Sequence, residues 1–154
     1  MRLAEIMETR VETIPPDVSA EFAWQRMRTR RIHHLVVLDA GRVVGVFSDL
    51  DAGGEHGQAI RQDRSVADLM TPQVVSVPPT TTIREAANRL GGRGIGCLPI
   101  LEKGRLVGIV TVSDLLMLLG RGAERPVPHT KRWTLKSRGA RGQGVSSRKG
   151  LPTR

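Results

Sequence analysis

The strongest constraint on this chain is that most of it is written twice. Sliding the 154-residue sequence against itself by 63 positions aligns Arg2 to Asp51 with Ser65 to Asp114 without a gap, and sixteen of the 50 paired positions are identical. The identities include Ala4 with Ala67, Met7 with Met70, Pro15-Pro16 with Pro78-Pro79, Arg30 with Arg93, Gly45 with Gly108 and Asp51 with Asp114. Others keep their character, such as Ile14 with Val77, Val46 with Ile109 and Ser48 with Thr111. A gap-free register of this length implies one supersecondary unit built twice, with neither unit large enough to bury its apolar faces alone.

Each repeat reads as helix, strand, helix, strand, strand, helix. A helical lead-in, Leu3 to Met7 or Val66 to Met70, precedes a strand at Val11 to Ile14 or Val74 to Val77, and a Pro-Pro pair stops each strand. Ser19 or Thr82 then opens an amphipathic helix. Its apolar positions, Ala20, Ala23, Trp24 and Met27 or Ile83, Ala86, Ala87 and Leu90, recur at helical spacing. Two apolar strands follow, Leu35 to Leu38 and Val43 to Phe47 or Leu98 to Leu101 and Leu106 to Val110. Tight turns at Asp39-Ala40-Gly41 and Glu102-Lys103-Gly104 join them as hairpins, with a glycine available for positive φ. The last helix starts beside Ser48 or Thr111; it is strong in the second repeat (Leu115, Leu116, Leu118, Leu119) and interrupted in the first by Gly53-Gly54. The expected class is α/β (α+β).

Charge divides the chain into a body and a tail. The formal net charge is +9, yet residues 1–120 hold 14 Lys+Arg against 14 Asp+Glu, so the whole excess lies in residues 121–154. That segment is basic and contains Pro and Gly, with few apolar residues besides Trp133 and Leu135. No apolar run is long enough to cross a bilayer and the start carries charges where a signal peptide would turn apolar, so the expected compartment is the cytoplasm. Cys97 is the only cysteine, which leaves no disulfide framework or thiolate-rich metal site. The expected division is 1–60, 61–120 and a tail at 121–154.

Four segments carry a family resemblance: Met70-Thr71-Pro72, Val77-Pro78-Pro79, Leu98-Pro99-Ile100 and Gly108-Ile109-Val110-Thr111-Val112-Ser113-Asp114. In their order and spacing they resemble the signature of a cystathionine-β-synthase (CBS) motif, and residues 2 to about 58 resemble a second, more diverged one. The resemblance implies two motifs packed about a pseudo-twofold axis, frequent association of two such pairs into a homodimer, and adenine nucleotides bound in clefts between motifs. It also implies a regulatory module acting on a protein partner, with a nucleotide as regulatory ligand and no required cofactor.

The residues for such a site occur in both repeats. Ser48 and Thr111 stand where the last strand meets the last helix, where N–H groups and a hydroxyl can hold phosphate. Asp51 and Asp114 carry carboxylates that can accept hydrogen bonds from both ribose hydroxyls. By the resemblance, Ile14 and Pro15 with His33 and His34, or Val77 and Pro78 with Gly96 and Cys97, line the adenine side, while Arg30, Arg31 and Arg93 neutralise phosphate. Ser-x-x-Asp and Thr-x-x-Asp are equally capping boxes with no ligand involved, and the residues alone leave both roles open. The second repeat keeps the fuller pattern; in the first, Val36 replaces Pro99 and glycines follow Asp51.

His33-His34 invites a metal, but neighbours in a strand face opposite ways and no third ligand is spaced to help. The run Gly91-Gly92-Arg93-Gly94-Ile95-Gly96 follows a helix rather than opening one, so it ends that helix and is not a dinucleotide fingerprint. With no nucleophile elbow or Walker-type loop, the chain reads as a non-enzyme. The rival reading is a nucleic-acid binder acting through the tail, where Trp133 lies among Lys131, Arg132, Lys136, Arg138 and Arg141.

Overall fold

The computed structural model describes residues 1–121. The basic tail, with Trp133 and the nucleic-acid contact expected of it, lies outside the described residues. After a 3-10 turn at Leu3–Glu5, the elements are β1 (Thr13–Ile14), α1 (Ala20–Arg30), β2 (His34–Asp39), β3 (Arg42–Ser48), α2 (Gln58–Arg61), α3 (Val66–Leu69), β4 (Thr71–Pro72), α4 (Ile83–Arg93), β5 (Cys97–Glu102), β6 (Arg105–Thr111) and α5 (Val112–Arg121).

Local chemistry sets these boundaries. Ser19 Oγ accepts a hydrogen bond from Phe22 N at 3.0 Å to start α1, and Arg31 ends it in the left-handed region at φ 58°. In α4 the start is a full capping box: Thr82 Oγ1 accepts from Glu85 N and Glu85 Oε1 accepts from Thr82 N, both at 3.1 Å. Gly94, at φ 63°, ends that helix. Helix α1 buries Ala20, Ala23, Trp24 and Met27, whereas α4 buries Ala86 and Leu90 and leaves Ala87 exposed. Trp24 supplies at the equivalent position an area that a methyl group cannot. The hairpins turn on two left-handed residues each, Ala40-Gly41 and Lys103-Gly104, the form that matches the twist of paired strands. Each hairpin shifts register once, after Val37 and after Ile100, so the two are bulged alike.

The strands expected before the proline pairs are shorter than their apolar runs. Only Thr13–Ile14 pairs, in parallel with Val36 and Val37, and the counterpart is a single bridge between Val77 and Ile100. Proline offers no N–H to extend either ladder.

The two lead-ins are exchanged. Thr71–Pro72, which precedes the second repeat, pairs antiparallel with Val46 and Gly45 of the first, and Glu8 pairs in the same way with Ile109 of the second. Leu3 N donates to Thr81 O at 2.9 Å, and its counterpart Val66 N donates to Val18 O at 2.8 Å. Leu3 and Ile6 therefore join the core of the second repeat with Val77, Leu90, Leu98, Ile100, Val110 and Leu115. Val66 joins that of the first, with Ile14, Met27, Leu35, Val37 and Phe47. Val36, Val46, Cys97 and Ile109 form a third cluster between the sheets. The result is two small sheets with flanking helices related by a pseudo-twofold operation, in which neither repeat completes its own core.

Two glycines make the exchange possible. A Cβ on Gly45 would lie 2.7 Å from Met70 Sδ and 2.8 Å from the Thr71 carbonyl oxygen, and one on Gly108 would lie 2.6 Å from Met7 Sδ. The incoming segments thus rest directly on bare backbone.

Candidate functional site

Between the sheets lies a cleft of about 680 Å³. Its walls are the strand ends and turns that follow β3 and β6, the segments that precede β2 and β5, and the Thr71–Val75 stretch of the exchanged lead-in. His33, His34, Ser48, Asp51, Arg93, Gly96, Cys97 and Thr111 all border it. Ile14 and Val77 do not; their side chains are buried in the sheet cores, and Pro15 and Pro78 are exposed beyond its lining. Asp114, half-buried, is not part of this lining, although its charge acts on His34 and Cys97, which are.

The Ser/Thr-x-x-Asp segments are reciprocal caps. Ser48 N donates to Asp51 Oδ2 at 2.9 Å and Asp51 N to Ser48 Oγ at 3.1 Å; Thr111 N donates to Asp114 Oδ2 at 2.9 Å and Asp114 N to Thr111 Oγ1 at 3.1 Å. Asp49 N and Val112 N also donate, to the carbonyls of His33 and Gly96. The turn N–H groups expected to hold phosphate are thus largely engaged inside the protein. Arg93 is exposed on the cleft, and its side chain has no hydrogen bond or ion pair among the described residues. Its counterpart Arg30 is held by Glu12 at 3.0 Å, and Arg31 instead borders a separate 380 Å³ pocket with Trp24, Met27 and Arg28.

Three residues the sequence reading passed over complete the Asp51 side. Thr71 Oγ1 lies 3.3 Å from Asp51 Oδ1. Asp49 Oδ2 lies 2.5 Å from His33 Nδ1, and His33 Nε2 is buried with no hydrogen-bond partner among the described residues. Arg61 is buried and holds the loop after Asp51. It donates to Ala52 O at 2.8 Å, to Gly54 O at 2.7 Å and to Glu21 Oε1 at 2.7 Å, with its guanidinium 4.5 Å from the Trp24 ring centre. The helix expected after Ser48 is replaced here by turns running to Gly57 before α2 begins. The Gly53-Gly54 interruption was the available signal that some other group must hold this loop.

The two histidines part company, as neighbours in extended chain must. His34 turns its ring over Gly96, where a Cβ would sit 2.8 Å from Nε2. Burial holds the His34 imidazole below its ordinary value of 6.5, outweighing the attraction of Asp49, Asp51 and Asp114. Burial, with the Asp114 and Asp51 carboxylates adding to it, pushes the Cys97 thiol up to about 12, so it stays a thiol near neutrality. Among the described residues, no group of three or more His, Cys, Asp or Glu is placed to hold a metal ion.

A family model described as the CBS domain matches residues 3–52 and 66–121. The chain belongs to the CBS-domain family. It is 33% identical over 116 residues to the carnitine transport ATP-binding protein OpuCA of Listeria monocytogenes, covering 75% of this chain but only 28% of that protein's length. It is 31% identical over 137 residues to a CBS domain-containing protein of Dictyostelium discoideum, covering 80% of this chain and 94% of the relative. Among solved structures it is similar to a CBS-domain containing protein from Agrobacterium tumefaciens, at 32% identity and a TM-score of 0.65, covering 74% of this chain and 91% of that one. It is also similar to CBSX2 of Arabidopsis thaliana in complex with AMP, at 26% identity and a TM-score of 0.67, covering 80% and 98% of the two chains. The CBS pair thus takes up nearly all of the described residues.

Proposed function

We propose that this CBS pair is a regulatory ligand sensor: an adenine nucleotide or related adenosyl ligand binds in the cleft between the repeats and changes how they sit on each other, and so the activity of a protein partner. The observation that carries this reading is the convergence on one 680 Å³ cleft of a Ser-x-x-Asp carboxylate, an unengaged arginine and the backbone of Gly96. A carboxylate suits a ribose diol and the arginine a phosphate. The AMP complex of the similar CBSX2 supports the same ligand class. Because the exchanged lead-ins tie each core to the other repeat, a ligand that favours one relative orientation shifts both sheets together.

Val112, Leu116 and Leu119 are exposed on α5 at helical spacing and support association into a homodimer. Among the described residues no helix is long and apolar enough to cross a membrane, in keeping with a cytoplasmic place for the module. Calorimetric titration of the full chain with AMP, ADP, ATP and S-adenosylmethionine tests the reading. Saturable binding of at least one is expected, and heats no larger than dilution for all of them would refute it. The charge of residues 121–154 carries a second reading, nucleic-acid contact through the tail. A salt-sensitive mobility shift seen with the full chain and lost on truncation at Arg121 would support it.

A further inference from the structure

The pseudo-twofold operation gives every residue of the cleft a counterpart 63 positions away, and the differences between counterparts distinguish the two carboxylates. Around Asp51 stand Thr71, Gln73, Val75 and Arg93, all on the cleft. The positions that correspond to these around Asp114 hold Glu8, Arg10, Glu12 and Arg30. Glu8 takes the register position of Thr71, since it pairs with Ile109 as Thr71 pairs with Val46. Where the first side presents a hydroxyl to its aspartate, the second places another carboxylate in the same register. Glu12, in place of Val75, holds Arg30 in a 3.0 Å ion pair, whereas Arg93 has no such partner among the described residues. Arg10 adds a cation, but it is exposed and its backbone N–H is turned onto Glu8 Oε2 at 2.8 Å.

One feature favours Asp114: a helix, α5, starts beside it, while only turns follow Asp51. The N–H groups of Thr111, Val112 and Asp114 are already spent on internal acceptors, however, which removes most of what a helix start offers an anion. Asp51 borders the cleft, with Thr71, Gln73 and Arg93 beside it.

We propose that a phosphate-bearing adenine nucleotide occupies the Asp51 side alone, with its ribose on Asp51 and its phosphate on Arg93, and that Glu8 and Glu12 close the Asp114 side to phosphate. This rests on the reading of the cleft as an adenine-nucleotide site, and it reverses the order of preference that the fuller motif of the second repeat suggests.

The test is calorimetry of the full chain with AMP and with adenosine, on wild type, Asp51→Asn, Asp114→Asn, Arg93→Gln and the double variant Glu8→Thr/Glu12→Val, with a thermal transition recorded for each. Wild type should bind one AMP per chain. Asp51→Asn and Arg93→Gln should weaken AMP at least tenfold, Arg93→Gln leaving adenosine within twofold, and Asp114→Asn should leave AMP within twofold. The double variant should raise the stoichiometry to two, a gain that damage to folding cannot imitate. Two AMP per wild-type chain, or AMP binding that survives Asp51→Asn and vanishes in a folded Asp114→Asn, overturns the assignment while the nucleotide reading stands. No binding of AMP or adenosine by any of the five proteins overturns both.

Discussion

Removing the Arg61 guanidinium should cost this protein more than removing any other charged side chain described above. Arg61 is 3% exposed and makes three charge-assisted contacts, to Glu21, Ala52 O and Gly54 O. The Glu21 side chain is 45% exposed, so its carboxylate regains water when the arginine is lost, and that contact is worth only about 0.5 kcal/mol. The two carbonyl contacts, in a dry environment, are worth about 1 kcal/mol each, and the stacking on Trp24 roughly another 0.5–1. Arg61→Ala should therefore destabilise by about 3 kcal/mol, or lower Tm by roughly 10 °C for a folded unit of this size. Arg61→Lys should recover less than half of it, because a single ammonium cannot reach the positions the guanidinium fork reaches together. Urea denaturation followed by circular dichroism measures both. A loss below about 1 kcal/mol for Arg61→Ala would show that the loop after Asp51 holds its shape without this contact, and that the physical account of the broken helix is wrong.

Three further outcomes follow from the geometry. His34 has a folded-state pKa below its unfolded value of 6.5, so the unfolded chain binds the extra proton first; the stability tied to the neutral ring is complete above about 6.5 and is lost as the pH falls toward the lowered value. Urea midpoints at pH 7.5 and 5.5 should differ by less in His34→Gln than in wild type, and equal differences would refute the assignment. Cys97, 4% exposed with its thiol pushed up to about 12, should stay unlabelled by Ellman's reagent at pH 8 in the native protein and react fully in 6 M (roughly) guanidinium; rapid native labelling would contradict its burial. Gly45→Ala should destabilise by about 2 kcal/mol and Gly108→Ala by less, since the first new methyl meets a carbonyl at 2.8 Å and the second meets chiefly the flexible Met7 side chain; thermal denaturation giving the reverse order would argue against the tight seating of the exchanged lead-ins.

Much of the fold is legible in the chain because its signals are local. The proline pairs, the Ser19 and Thr82 caps, and the left-handed positions at Gly41 and Gly104 act within a few residues of themselves, and the hairpin strands lie within one residue of where the apolar runs put them. The site was legible only in part. Ser48, Asp51 and Arg93 stand out from spacing and repetition and Gly96 from the family resemblance, whereas Thr71 and Arg61 act on residues twenty and about ten positions away, distances at which sequence has no periodicity to show.

What the sequence determines by itself is the repeat: two units with the same turns, caps and apolar runs, and a basic excess that belongs to neither. Only the tertiary structure decides that the lead-ins trade places, because Leu3 and Val66 are equally apolar whichever core they enter, and Gly45 and Gly108 leave the same room in both repeats. It also decides what stands beside each carboxylate. Asp51 and Asp114 have the same local bonds at the same lengths, and what separates them is the charge and bulk that distant segments bring alongside.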